Sequence, residues 1–284
     1  MDLLLFVLLL LLTGIVAGLV GSLSGLGGAV VVIPVLVIAF DTPFPIAAGA
    51  GLVTVLATSS TSGAAYVRDR LTDLRIGMFL EIATAPGAIL GATLTVFLAH
   101  ASLDRALEVG LGIVLLAILP VSFQRRDEEL PTNVQPDARS KRLGLRGTYH
   151  DSALGVDVPY QAADTTRALG VSFGAGVAAG MFGIGGGGFK VLALEHYLRL
   201  PMKVSTATSN FMIGVTGAAG ASLLLAAGYV DPLVAAPAAL GTAGGAFLGS
   251  SLLRGLRNRT VRIVFLLVVA ALAIQTILRG VGVA

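Results

Sequence analysis

Apolar residues run through the chain in ten stretches separated by short polar or glycine-rich breaks. Five fall at roughly 3–20, 29–40, 46–66, 76–99 and 107–123, and five more at roughly 167–182, 189–198, 204–227, 232–253 and 261–279. Crossing the hydrocarbon core of a bilayer takes about 20 apolar residues, so most of these stretches read as membrane helices. The second stretch of each series is too short to cross alone, and the first and second together are too long for one pass. The N-terminal stretch superficially looks like a secretory signal, but it carries Asp2 and no Lys or Arg ahead of its apolar run and lacks a clean cleavage site. It reads as a retained membrane helix.

The second series repeats the first. A shift of 158 positions brings Ala17 and Gly18 onto Ala175 and Gly176, and "GLGG" (25–28) onto "GIGG" (183–186). It also aligns Pro43 with Pro201, Thr58 with Thr216, Asp73 with Asp231, and "TAPGAILGA" (84–92) with "TAGGAFLGS" (242–250). One ungapped shift matching loops and helices over about a hundred residues marks a duplicated membrane unit. The organisation expected is an N-terminal membrane repeat (1–123), a polar linker (124–166) and a C-terminal membrane repeat (167–284). The linker reads as solvated, with a small hairpin around 147–160.

Charge decides how the chain passes the glycine tracts. If it turns back there, the loops near 67–75, 124–167, 198–203 and 254–262 share one side and hold 16 of the 19 Lys and Arg residues. Arg105 and Arg279 lie on the other side, and Lys190 stays in the membrane. If the chain runs straight through, the split is 11 against 7. Positive charge concentrates in cytoplasmic loops, so the turn is favoured. Each repeat then has five membrane segments, an odd number, and the two are inverted. The fold expected is an all-α polytopic membrane protein of two inverted repeats, each with a glycine-interrupted helical hairpin, the linker cytoplasmic and both termini outside.

Composition agrees with a life in lipid: 55% of residues are hydrophobic and 12% charged, against about 25% charged in soluble domains. There is no cysteine, and the three histidines, His100, His150 and His196, have no metal-ligand spacing, so neither thiolate chemistry nor a metal is expected. Gly183, Gly185 and Gly188 formally match G-x-G-x-x-G, but no strand precedes them. Phe189 between Gly188 and Lys190 breaks a P-loop pattern. No cofactor is expected.

The candidate chemistry lies in the glycine tracts. Glycine in a helix interior costs about 1 kcal/mol relative to alanine, and irregular backbone at membrane depth is tolerated only where it is buried or lines a wet cavity. Gly25, Gly27 and Gly28 in one tract, and Gly183, Gly185, Gly186, Gly187 and Gly188 in the other, each precede a short helix whose free amides suit an anion. Lys190, in the first turn of the second short helix, is an intramembrane cation and so a candidate substrate contact. Thr206, Ser209 and Asn210 of "TATSN" open the following helix and offer further donors. Glu81 is a candidate proton carrier, or a partner for a buried lysine or arginine. His196 is a candidate proton sensor. Glycines four apart, Gly87 with Gly91 and Gly245 with Gly249, read as helix-crossing contacts, and Asp73 and Asp231 as helix caps.

The paired "GLGG…P" (25–34) and "GIGGGGFKV" (183–191), each followed 14 to 20 residues later by a small-residue, Ser/Thr-bearing helix start, resemble the TauE/SafE family. The linker stretch "GTYHDSALGVDVPY" (147–160) is similar to that family's central loop, and Leu192 departs from the proline present at the equivalent Pro34. The resemblance implies a bacterial or archaeal inner-membrane exporter of sulfite, or of an organosulfonate such as sulfoacetate. Alternatives from other classes are a passive anion channel of the same fold and a non-transporting membrane assembly that docks a partner through residues 124–166. No nucleophile–base pair is visible, so an enzyme is not expected. The partners expected are the small anion and the lipid bilayer, and no nucleic acid.

Overall fold

The computed structural model describes residues 3–123, 134–151, 155–252 and 259–282. Arg125, Arg126, Arg254 and Arg257, which enter the charge count above, lie outside them. The first half comprises α1 (Leu3–Ser24), α2 (Ala29–Phe40), α3 (Phe44–Arg68), α4 (Leu74–His100) and α5 (Asp104–Phe123). A short α6 (Ala138–Leu143) and an antiparallel hairpin of β1 (Arg146–Asp151) and β2 (Val156–Gln161) follow. The second half comprises α7 (Thr165–Phe182), α8 (Gly187–Leu192) continued by a π-helical turn (Ala193–Tyr197), α9 (Met202–Ala226), α10 (Pro232–Leu252) and α11 (Arg259–Val281). Five of these helices, α1, α3, α4, α9 and α10, are long and apolar enough to cross a membrane.

The duplication extends to backbone conformation. Shifted by 158, the bounds of α3 coincide with those of α9. Pro43 and Pro201 precede them with the same extended backbone, φ −53° and ψ 137° against φ −56° and ψ 145°. Positive φ recurs at equivalent positions: Gly25 and Gly183, Gly27 and Gly185, Asp41 and Arg199, Arg70 and Gly228. Two of these pairs include a residue with a side chain, for which the left-handed region is uncommon. Asp73 caps α4 by accepting from the Ile76 amide at 3.0 Å, and Asp231 accepts from the Leu233 amide at 2.9 Å at the head of α10.

Packing exchanges partners between the halves. α1 packs along α10 and its counterpart α7 along α4; α3 and α9 meet at the centre, flanked by α10 and α4 respectively. The α1–α10 and α4–α7 crossings are closed by glycine. A Cβ at Gly245 would lie 1.9 Å from the Ile15 carbonyl oxygen, and one at Gly18 2.1 Å from that of Thr242. In the other crossing, a Cβ at Gly180 would lie 2.0 Å from the Ala88 oxygen and one at Gly91 2.1 Å from that of Val177. Lipid tails are as apolar as leucine, so membrane helices associate through close packing of this kind. Large apolar side chains such as Leu12, Val16, Ile82, Phe97, Leu240 and Phe247 are exposed on the outer faces, as a lipid-facing surface requires.

The hairpin is docked, where the sequence reading has a solvated linker. Tyr149 and Val158 face each other in register and join a buried cluster with Leu23, Tyr66, Leu80, Leu198 and Met212. Tyr160 donates to Asp73 Oδ2 at 2.9 Å, Arg75 donates to the Gly144 carbonyl at 3.0 Å, and the Lys203 ammonium spans both oxygens of fully buried Asp151 at 2.9 and 2.8 Å. Burial, and then the charge and hydrogen bond of Asp73, raise the Tyr160 hydroxyl well above the usual tyrosine range. The reason is strand periodicity: alternate residues of a polar stretch point inward, and here they are Tyr149 and Asp151. Lys203→Ala is expected to weaken hairpin docking by about 1.5–3 kcal/mol, the range for a hydrogen bond to a charged group. Hydrogen exchange of strands β1 and β2 should then accelerate while that of α3 and α9 does not.

Candidate functional site

The two glycine tracts meet tip to tip. In the first, Gly25 and Gly27 have φ of +72° and +82°; in the second, Gly183, Gly185 and Gly186 have φ of +75°, +71° and +67°. Symmetry fails at Gly28, which is right-handed with φ −70°, against left-handed Gly186. A Cβ at Gly187 would fall 2.4 Å from the Gly25 carbonyl oxygen and 2.6 Å from Leu26 Cα, so the tips touch through bare backbone. Ser209 stands between them, donating to Gly25 O at 2.9 Å and reaching Gly187 O at 3.4 Å.

Asn210 locks the same level. Its amide nitrogen donates to Ser22 O at 3.1 Å and Thr206 O at 3.0 Å, while Ser62 donates to its Oδ1 at 3.2 Å. Thr206 packs against Gly25. Its hydroxyl is buried and finds no hydrogen-bond partner among the described residues. Ser62 was legible only as one member of the packing stretch "TSSTS" (58–62); nothing local marks it as the partner of a residue 148 positions away.

Lys190 occupies a second level. Its side chain is fully buried, and its ammonium donates to Glu81 Oε1 at 3.2 Å, to the Met212 carbonyl at 3.0 Å and to the Thr216 hydroxyl. Thr216 in turn donates to the two Glu81 oxygens at 2.9 and 3.0 Å. The counter-ion of Lys190 is thus a carboxylate of the protein, the role the sequence left open for Glu81 beside that of proton carrier. Met212 and Thr216 lie three and seven residues beyond Ser209 on α9, about 4.5 and 10 Å along the helix. The predicted site residues therefore divide in two: Thr206, Ser209 and Asn210 at the tips, Lys190 deeper in.

Thr216 went unassigned in the sequence, although two periodicities bear on it. α4 and α9 run side by side, with the Asp73 amide on Thr208 Oγ1 at 3.0 Å. Eight residues further along each helix, Glu81 meets Thr216. His196 joins neither level. It is exposed on the π-helical turn and borders an open cleft of about 550 Å³ with Asp137, Asp164, Arg167, Tyr197 and Arg199. Burial works against the charged form of Asp137, but hydrogen bonds from Thr165 and Ser140 outweigh it, and its carboxyl titrates below the usual range.

Long lipid-facing helices around broken helices and a buried ion pair define a polytopic membrane protein, and its relatives make it a membrane transporter. The chain belongs to the TauE/SafE sulfite exporter family, whose sequence profile matches residues 10–276. It is 28% identical over 284 residues to the probable membrane transporter protein YunE of Bacillus subtilis (strain 168), covering 97% of this chain and 98% of that one. It is 26% identical over 246 residues to the probable membrane transporter protein YdhB of the same organism, covering 87% and 88%. No solved structure matches the chain.

Proposed function

We propose that the protein is a secondary carrier that exports a small sulfur oxyanion, sulfite or an organosulfonate such as sulfoacetate, and is not an enzyme. It works by alternating access between two inverted repeats of five membrane segments in the cell membrane, with linker 124–166 cytoplasmic and both termini outside. The exchange of packing partners between the halves supports the two-fold relation, and the distribution of Lys and Arg supports the inversion. The anion binds where the tips Gly25, Gly27, Gly28 and Gly183 to Gly188 meet, once they part. Thr206, Ser209 and Asn210 supply donors, and Lys190 supplies charge from the adjoining level.

The observation that carries this reading is the Thr206 hydroxyl: a buried donor against a glycine tip with no hydrogen-bond partner among the described residues. An unmet buried hydroxyl is unfavourable for the fold alone, and an oxyanion gives it something to bind. Thr206→Val keeps the shape and removes the donor. In proteoliposomes the wild type is expected to show saturable sulfite counterflow in which sulfoacetate competes. In Thr206→Val the half-saturating concentration should rise roughly tenfold or more, as expected for losing a hydrogen bond to a charged group, with the thermal stability of the empty protein equal to or above that of the wild type. An unchanged half-saturation would remove Thr206 from the site. Flux without counterflow would identify a passive channel, and no flux of either anion would overturn the substrate class.

A further inference from the structure

A carrier whose buried lysine already has a protein carboxylate as counter-ion must rearrange those charges when a substrate anion reaches it. Glu81 is on α4 of the first half, at 4% exposure; Lys190 and Thr216 are on α8 and α9 of the second, and Lys190 is fully buried. The charged neighbour of Lys190 among the described residues is Glu81. Other charged groups on the elements packed here are engaged elsewhere. On α4, Asp73 caps the helix and Arg75 binds Gly144; Lys203 at the start of α9 pairs with Asp151, and Arg167 on α7 with Asp164. Arg68 ends α3 beside Asp69, and on α5 Asp104 and Arg105 open the helix while Glu108 faces Arg279. Glu195 and His196 lie on the π-helical turn, about 7–9 Å of helix beyond Lys190.

An anion that enters beside Lys190 displaces the Glu81 carboxylate from the pair, and an uncompensated charge at membrane depth is costly. Resting on the carrier reading above, we infer that the pair opens by exchange: the substrate anion replaces Glu81 as counter-ion of Lys190, and Glu81 takes up one proton. Charge balances at both ends. The ammonium keeps its proton and gains the anion, while the carboxylate becomes a carboxylic acid by forming one O–H bond. Thr216 serves as the pivot, because its hydroxyl already accepts from Lys190 and donates to Glu81. A hydroxyl performs either role, so it turns its hydrogen to the anion and accepts from protonated Glu81. One proton binds with each anion, and a monovalent anion crosses without net charge.

The sign follows directly: the loaded form holds one more proton than the empty form, so anion affinity rises as pH falls. The test measures half-saturation of sulfite counterflow for wild type, Glu81→Gln and Glu81→Asp, with equal pH on both faces, from mildly acidic to mildly alkaline buffer. Glutamine stands for the protonated carboxyl, so the ratio of wild-type to Gln half-saturation is expected to climb with pH, by up to about tenfold per unit. Glu81→Asp should follow the wild type. Sulfite's own titration cancels in the ratio. A ratio that stays flat while both proteins exchange sulfite overturns the inference and leaves the carrier standing; a wild type without saturable exchange overturns both. If Glu81→Gln does not assemble, net efflux of the wild type is measured in acidic buffer, where hydrogensulfite predominates. A potassium–valinomycin potential should leave that efflux unchanged, and potential-driven efflux overturns the proposal.

Discussion

Glu81→Ala is expected to destabilise the folded protein by about 3–5 kcal/mol, the range for leaving one member of a buried ion pair alone. That is a large part of the 5–15 kcal/mol that holds a typical domain together. Lys190 cannot reach water by extending its side chain, since it is fully buried. Its remaining contacts, the Met212 carbonyl and the Thr216 hydroxyl, are dipoles without net charge. The expected result is little folded protein recovered from membranes and early loss of monodispersity on heating in detergent. The double variant Glu81→Gln with Lys190→Met removes both charges, and its stability should return close to wild type, because a buried pair contributes little net stability over a neutral replacement. The rescue separates a charge effect from simple loss of packing. A Glu81→Ala protein as stable as wild type would mean that Lys190 does not depend on Glu81.

Gly245→Val on α10 should be as damaging for a different reason. The new Cβ would sit 1.9 Å from the Ile15 carbonyl oxygen, 2.8 Å from its carbon and 2.8 Å from the Leu19 nitrogen. All three are backbone of α1, so no side chain can move aside, and the two helices must separate along the whole crossing. The neighbouring position is the control. Nothing lies within 4 Å of a Cβ at Gly244, and Gly244→Ala should stabilise by up to about 1 kcal/mol through helix propensity. Paired thermal unfolding of the two variants in the same detergent is the measurement. Equal behaviour of the two would mean that α1 and α10 do not cross as closely as described.

Much of the fold was legible because it is written locally. Apolar stretches predicted every helix of both series to within a few residues, since a membrane helix declares itself by composition over its own length. The repeat was legible for the same reason, and its sharpest landmarks, the glycine tracts and the two prolines, are residues whose backbone demands are intrinsic. Gly87 and Gly245 were read as crossing contacts and do make them. Less was legible where partners are distant. Nothing around Asp151 says that Lys203 will cover it, so the hairpin was expected in water. Thr206, Ser209 and Asn210 were grouped because they share one stretch of chain. Lys190 was grouped with them by its nearness in sequence to the tips, and the fold carries its ammonium down α9 to Thr216.

The sequence by itself determined that this chain lives in lipid as a duplicated set of helices broken by glycine, because hydropathy and permitted backbone angles are properties of each residue and its immediate neighbours. Only the tertiary structure decided which charges meet. Lys190 and Glu81 are 109 residues apart, and a buried ammonium has no local signal for its counter-ion. It requires only that some opposite charge be brought within reach in a medium where neither can remain alone.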